Sequence, residues 1–229
     1  MFGFEIREYF FSVSDADYRT FTANLIPNIA KKQIIGVRVP IIRKLAKKIC
    51  NNKEYYKTKM LDYREEILLY GFCIGYSDLD IDLKLDLYVD YLNYANSWET
   101  VDLVFFGVKD FAQNVNKSKI YNRLTSIFDV DKEFVSRAVI VVLLRYFLTD
   151  DYIDKVVNFV STIYSDKYYI NMALSWLIAE ILARYYDIGL MLLQSEKLSK
   201  FVRNHAVQKA IESNKIDKDV KNFLTTLKI

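Results

Sequence analysis

Apolar residues recur every three or four positions along most of this chain, which is the spacing that places side chains on one face of an α-helix. The segment 39–50 shows the pattern clearly, because lysines and arginines fill the positions between the apolar ones. Pro40 falls in the first turn, where the missing backbone N–H is tolerated. We therefore predict an amphipathic helix there, with an apolar face of Ile41, Ile42, Leu45, Ala46 and Ile49.

The same pattern predicts helices along the whole chain, joined by short polar breaks of a length usual between packed helices. We expect Ser14 or Asp15 to cap the second helix, Pro27 to end it and Gly36 to close the following loop. The β-branched run over 139–144 lies in a segment whose length favours a buried helix. The predicted helices span about 4–12, 15–26, 39–50, 53–60, 63–76, 82–94, 98–111, 117–128, 131–148, 150–164, 167–185, 187–194, 197–213 and 216–227.

The predicted helices occur in pairs that repeat roughly every 35–40 residues, a period typical of stacked helical hairpins. No linker interrupts the series. We therefore predict an all-α fold, an α-solenoid or superhelix of HEAT-like repeats that forms a single domain over residues 1–229. In such arrays, equivalent positions of successive repeats line one concave face, which serves as a binding groove.

Composition narrows the class of protein. The 229 residues are 52% hydrophobic and include only 6 Gly and 2 Pro, too few turn-forming residues for an all-β protein. No apolar run is long enough for a membrane span, and the N-terminus lacks the pattern of a signal peptide. Cys50 and Cys73 have no metal-ligand spacing and are expected to be reduced core residues of a cytoplasmic protein. A single histidine, His205, argues against a histidine-based metal site, and we expect no metal or cofactor.

The stretch Ser97-Trp98-Glu99-Thr100-Val101-Asp102 combines an indole and a carboxylate. Trp98 and Asp102 are separated by one helical turn at the start of an apolar helix, so they project from the same face. Burying an unpaired carboxylate is costly, so Asp102 must be paired, solvated in a cleft or functional. Taken alone, the pair is better explained as a half-buried tryptophan and an aspartate favoured by the helix dipole.

Arg137 and Trp176 follow Asp102 at successive intervals of about one helical-pair repeat, roughly 35–40 residues each. Regular stacking would therefore bring two indoles, one carboxylate and one guanidinium into one cleft. Indole faces hold flat or cationic ligands, and an arginine can hold a phosphate or orient a carboxylate. The structural alternatives are that Trp176 is a core residue and that Arg137 is an ion-pair partner of Asp102 or Asp131.

An alkylated purine nucleotide is a ligand that is flat, cationic and linked to phosphate. The chain resembles the DNA alkylation repair proteins of the AlkD type. These are HEAT-like-repeat DNA glycosylases. The resemblance covers the chain from about residue 15 to 225. Its landmarks are the blocks Gly36-Val37-Arg38-Val39-Pro40-Ile41-Ile42-Arg43-Lys44-Leu45, Trp98-Glu99-Thr100-Val101-Asp102, Arg137-Ala138-Val139-Ile140 and Ala173-Leu174-Ser175-Trp176-Leu177.

The resemblance implies a role for each of the four residues. Asp102 matches the catalytic carboxylate, which stabilises an oxocarbenium-like sugar and positions water for attack at the anomeric carbon. Trp98 and Trp176 match the walls that cup the lesion and its backbone, and Arg137 matches the arginine that supports the aspartate and contacts DNA. The implied function is release of N3- or N7-alkylated purines from duplex DNA by a monomer, with no membrane partner.

Three positions depart from the family pattern: Pro27 replaces a tyrosine, Glu99 replaces an aspartate and Ala179 replaces an arginine. The net charge of +3 is also modest for a duplex-binding protein, which depends on lysine and arginine contacts. Two other functions therefore stay open, an inactive branch that binds distorted DNA and a helical-repeat scaffold that binds a protein. The residues predicted to contact DNA phosphates are Arg38, Arg43, Lys44, Lys47, Lys48, Lys200, Arg203 and Lys209.

Overall fold

The computed structural model describes residues 3–229, and α-helices account for most of them. No strand occurs within these residues, so the all-α prediction is confirmed for the described chain. The helices are α1 Gly3–Ser12, α2 Ala16–Leu25, α3 Val39–Ile49, α4 Lys53–Thr58, α5 Arg64–Tyr76, α6 Ile81–Leu92, α7 Trp98–Phe105, α8 Lys117–Thr125, α9 Glu133–Tyr146, α10 Ile153–Val160, α11 Tyr168–Arg184, α12 Tyr186–Gln194, α13 Lys200–Glu212 and α14 Lys218–Thr225.

Two predicted helices are clearly too long: α10, expected over about 150–164, spans Ile153–Val160, and α7 was expected to run to about residue 111. The helix ends at Phe105, and a short 3₁₀ helix over Lys109–Ala112 follows the exposed Gly107. This interruption leaves Phe111 fully buried against the rings of Tyr88 and Phe105. Packing of one aromatic side chain thus overrides the local helical pattern, which is the usual way in which tertiary context defeats propensity.

The chain divides into two compact units, Met1–Arg123 and Leu124–Ile229. In the first unit, α5 packs against α3, α6 and α7. In the second unit, α11 packs against α9, α12 and α13, and α14 packs against α13. Alternate helices are therefore neighbours within each unit, as expected for stacked helical hairpins. The assignment of residues 1–229 to a single domain stays a prediction.

The helices at the centre of each unit are apolar around most of their circumference, and such helices are buried. Nearly every residue of α5 is buried, including the polar side chains of its first turn. The run over 139–144 is fully helical and buried in α9, as predicted. By contrast, α3 keeps Lys44, Lys47 and Lys48 exposed while its apolar face packs on α5.

Cys50 and Cys73 are both buried free thiols, which confirms their predicted role as core residues. Burial raises the pKa of the Cys73 thiol well above its ordinary value. Within the described part of the chain, every helix is too short or too polar to cross a lipid bilayer.

The loop between α2 and α3 depends on Gly36, whose φ of 100° lies in the left-handed region. Its carbonyl accepts a hydrogen bond from the Asp15 backbone N–H at 3.0 Å. Asp15 in turn caps α2, because its carboxylate accepts the Tyr18 N–H at 2.9 Å. A Cβ at position 36 would lie 2.6 Å from the Asp15 carbonyl oxygen, so only glycine fits without rearrangement.

We predict that Gly36→Ala lowers the free energy of unfolding by about 1–3 kcal/mol, the usual cost of a residue held in an unfavourable backbone region. Urea unfolding followed by circular dichroism measures this change. Gly107→Ala is the matched control, because a Cβ there meets only the Arg43 Nη1 atom, at 3.8 Å. Equal stability of the two variants would contradict the role assigned to Gly36.

Candidate functional site

The predicted tryptophan and aspartate both lie on α7, which begins at Trp98. Ser97 and Thr100 form a reciprocal capping box, in which the Thr100 N–H donates to Ser97 Oγ at 3.2 Å and the Ser97 N–H donates to Thr100 Oγ1 at 3.1 Å. The Tyr91 hydroxyl donates to the Thr100 carbonyl at 2.6 Å. The first turn of α7 is therefore fixed, and Trp98 and Asp102 are both partly exposed on it.

The Trp98 indole packs on the loop that follows α2. Its Nε1–H donates a long hydrogen bond of 3.4 Å to the Leu25 carbonyl. Pro27, at the position where the family pattern has a tyrosine, is exposed in this loop. The indole thus has one face against protein, where its contacts are the buried residues Ile26, Ile29 and Ile34.

Glu99, between Trp98 and Asp102, is a structural residue. It is 5% exposed and forms a bidentate ion pair with Arg64, the first residue of α5, which is 1% exposed. Arg64 Nε donates to Glu99 Oε2 at 2.7 Å, and Arg64 Nη2 donates to Glu99 Oε1. Paired, planar hydrogen bonds of this kind are among the strongest in proteins. The first turn of α7 is thereby held against the first turn of α5.

Glu65 extends this buried network to the loop before α3. Its carboxylate accepts a hydrogen bond from Arg64 Nη1 at 3.1 Å. It also accepts three backbone N–H groups, from Ile35 at 3.0 Å, Gly36 at 2.9 Å and Val37 at 3.2 Å. We call Arg64, Glu65 and Glu99 the Arg64 network.

Charge compensation keeps the Arg64 guanidinium ionised. Burial lowers the pKa of the Arg64 guanidinium, but the hydrogen bonds and charge of Glu99, with the charge of Glu65, leave that pKa above its usual value. Our reading of the sequence missed this network. Its only signal was the presence of charged residues at the start of an otherwise apolar segment, Arg64 to Tyr76.

Arg43 brings a second guanidinium to α7. Its Nη2 donates to the Leu103 carbonyl at 2.8 Å, and its Nη1 donates to the Tyr76 hydroxyl at 3.0 Å. The guanidinium lies 4.1 Å from the centre of the Phe72 ring. This positive charge is therefore bound to the peptide group next to Asp102, and any contact with a phosphate would use the remaining N–H donors of Arg43.

In the second unit, Arg137 is 6% exposed on α9, and its Nη1 donates to the Tyr169 carbonyl at 3.2 Å. One turn earlier, the Glu133 carboxylate accepts the Tyr169 N–H at 2.6 Å. Glu133 and Arg137 therefore hold the first turn of α11 through the N–H and the carbonyl of one residue. This contact gives Arg137 a structural role within its unit.

Trp176 is partly exposed on α11 and lines an open cavity. Ala179, the position where the family pattern has an arginine, lies in the same wall. Glu180 contributes a carboxylate that is paired with Lys215 at 2.8 Å. Lys209 of α13 also lines this cavity, so one of the predicted phosphate-contacting residues lies on the same surface as Trp176.

Among the other residues predicted to contact phosphates, the two arginines form contacts within the protein. Arg38 pairs with Asp15 at 2.7 Å, and Arg203 donates to the Ser195 carbonyl at 2.9 Å. The remaining members of the set are exposed lysines, Lys44, Lys47 and Lys48 on α3 and Lys200 on α13.

Trp98 and Asp102 belong to the first unit, and Arg137 and Trp176 belong to the second. The site assignment of these four residues and the single four-residue cleft therefore stay predictions.

A family model described as DNA alkylation repair enzyme matches residues 6–210 of the 229-residue chain. The chain belongs to this DNA alkylation repair family. Membership confirms the resemblance drawn from the four motif blocks, and it supports a role in DNA repair with DNA as the partner. No curated protein matches the chain significantly.

The Arg64 network predicts that Arg64→Met lowers the free energy of unfolding of this family member by about 3–5 kcal/mol, because two buried carboxylates lose their counter-charge. Chemical denaturation at neutral pH measures the loss. Lys119→Met is the control, since its ion pair with Asp82 is solvent-exposed and is expected to contribute less than about 1 kcal/mol. A loss of similar size in both variants would refute a special role for the network.

Proposed function

We propose that this protein is a DNA glycosylase that releases N3- or N7-alkylated purines from duplex DNA, with Asp102 as its catalytic carboxylate. The proposal rests on the contrast between the two acidic residues of α7 in a member of the DNA alkylation repair family. Glu99 is buried and committed to Arg64, whereas Asp102, one turn from Trp98, stays partly exposed. Of these two carboxylates, Asp102 is the one that a nucleotide can reach.

The proposed role of Asp102 is to stabilise positive charge electrostatically. Alkylation at N3 or N7 gives the purine a positive charge, so the electrons of the bond between C1′ and N9 leave with the base. The sugar then develops oxocarbenium character, which a nearby carboxylate stabilises as in glycoside hydrolysis. Water attacks C1′ and loses a proton, and the products are the free alkylated base and an abasic site. This sequence of steps uses no metal or cofactor.

Trp98 is proposed to bind the substrate beside Asp102. One side of its indole packs on isoleucines, which holds the ring in place. The exposed part of the ring offers a π surface to a cationic base or to the sugar. In the second unit, Trp176 is partly exposed and is proposed to contact DNA, whereas Arg137 is 6% exposed and is proposed to act by holding the start of α11.

Duplex binding is proposed to use the exposed face of α3. Lys44, Lys47 and Lys48 are exposed there, and such lysines bind phosphates largely as point charges. Their contribution is electrostatic and independent of sequence, so it is expected to weaken with added salt.

We predict that Asp102→Asn lowers the rate of 7-methylguanine release from a methylated duplex by about 10²- to 10³-fold, because the amide no longer stabilises positive charge on the sugar. Single-turnover kinetics with excess protein measures the chemical step. Asp86→Asn is the control, because Asp86 is an exposed surface carboxylate paired with Arg123.

Two results would count against this proposal. If folded wild-type protein releases no base above background but binds duplex in a salt-dependent manner, the family member acts by binding distorted DNA. If Asp102→Asn releases base at the wild-type rate, another residue is the catalytic carboxylate.

We predict that replacing Lys44, Lys47 and Lys48 together by alanine weakens duplex binding and reduces the slope of log K against log salt by about 0.9 for each phosphate that the variant no longer neutralises. Fluorescence anisotropy at several salt concentrations gives the slope. The double variant Lys53→Ala with Lys57→Ala, on α4, is the control for removal of exposed charge. An unchanged slope in the α3 variant would exclude this face from the DNA interface.

A further inference from the structure

A row of aromatic rings crosses the first turns of α9, α11 and α13 in the second unit. We define the aromatic row as Phe134, Tyr169, Tyr168, Phe201 and His205. Successive ring centres are 5.2 Å apart from Phe134 to Tyr169, 5.2 Å from Tyr169 to Tyr168, 5.9 Å from Tyr168 to Phe201 and 4.0 Å from Phe201 to His205. These separations are those of rings in direct contact.

Hydrogen bonds to the backbone of Tyr169 and from the ring of His205 hold the aromatic row in place. The Glu133 carboxylate accepts the Tyr169 N–H, and Arg137 donates to the Tyr169 carbonyl. His205 Nδ1 lies 2.8 Å from the Phe201 carbonyl, so this nitrogen carries the proton and donates it. The imidazole is therefore fixed nearly parallel to the Phe201 ring, at 23°.

The aromatic row is also accessible. Tyr168 at its centre is 55% exposed, and its neighbours Tyr169 and Phe201 are partly exposed. None of the five rings belongs to the proposed catalytic residues. An ordered series of rings that stays in contact with solvent differs from core packing, in which such rings would be covered.

A lysine also lies at or just before the first residue of each of the three helices. Lys132 precedes α9, Lys167 precedes α11 and Lys200 is the first residue of α13. The lysines are thus one helical hairpin apart, beside the positive ends of three helix dipoles. Three acidic side chains are near these lysines in the sequence. Glu133 accepts the Tyr169 N–H, Asp129 lies 3.8 Å from Lys132, and Asp166 is exposed.

We propose that this surface binds single-stranded DNA, with unpaired bases stacked on the aromatic row and phosphates beside the lysines. Stacking on aromatic side chains combined with a basic track is how proteins hold single strands without sequence preference. The lysine at the start of each helix favours a polyanion over an apolar peptide as the occupant. The proposal is independent of Asp102 and extends the function to unpaired DNA.

The test is binding of a fluorescein-labelled oligothymidylate of about 12 nucleotides, within the range of single-strand site sizes. We expect Tyr168→Leu to weaken binding roughly 5- to 150-fold at every salt concentration, because one stacking surface is removed. Tyr168→Phe keeps the ring and should bind like wild type. Lys200→Ala should instead lower the slope of log K against log salt by about 0.7, the value for one phosphate of a single strand.

Phe223→Ala is the matched control, since Phe223 is an exposed aromatic residue of α14 outside the aromatic row. Circular dichroism establishes that each variant is folded. The proposal is overturned if wild-type protein fails to bind the oligonucleotide at low salt, or if folded Tyr168→Leu binds it as tightly as wild type. Base release is not measured, so either result is separate from the fate of the glycosylase proposal.

Discussion

The buried guanidinium of Arg64 is the interaction on which the placement of the candidate site depends. It binds Glu99 at the start of α7 and Glu65, whose carboxylate holds the backbone of the loop before α3. A buried charge is tolerated only when it is paired and its hydrogen bonds are satisfied. Removing one member of the network would therefore leave the others with an unpaired buried charge. The orientation of Trp98 and Asp102 follows from the anchored turn between them.

In the second unit, charged side chains also hold the start of a helix, but the residues are different. Glu133 and Arg137 of α9 bind the N–H and carbonyl of Tyr169 and so fix the first turn of α11. In each unit, charged side chains thus anchor the start of a neighbouring helix, and Glu133 supplies the partner that the Tyr169 N–H, in the first turn of α11, lacks within its own helix. Residues proposed to meet DNA lie at these anchored turns, Trp98 in the first unit and Tyr168 in the second.

The departures from the family pattern have different structural meanings. Glu99 is explained by its ion pair with Arg64, which leaves the carboxylate one turn later to serve the proposed chemistry. Pro27 is exposed in a loop whose neighbouring carbonyl and isoleucines support Trp98, so the indole keeps its place although the aromatic ring at position 27 is missing. Ala179 lines the cavity beside Trp176, so this wall has a methyl group where the family pattern has an arginine.

Local physical chemistry determined most of the helices from sequence alone, because helical periodicity, a cap at Ser14 or Asp15 and Pro40 in a first turn act over a few residues. The family motifs also predict, from sequence alone, that Asp102 and Trp98 are site residues. Only the tertiary structure showed that Glu99 belongs to Arg64, 35 residues away, and that the aromatic row is continuous across three helices. Such pairings depend on how helices pack, and a charged or aromatic residue carries no local signal of the partner that packing brings to it.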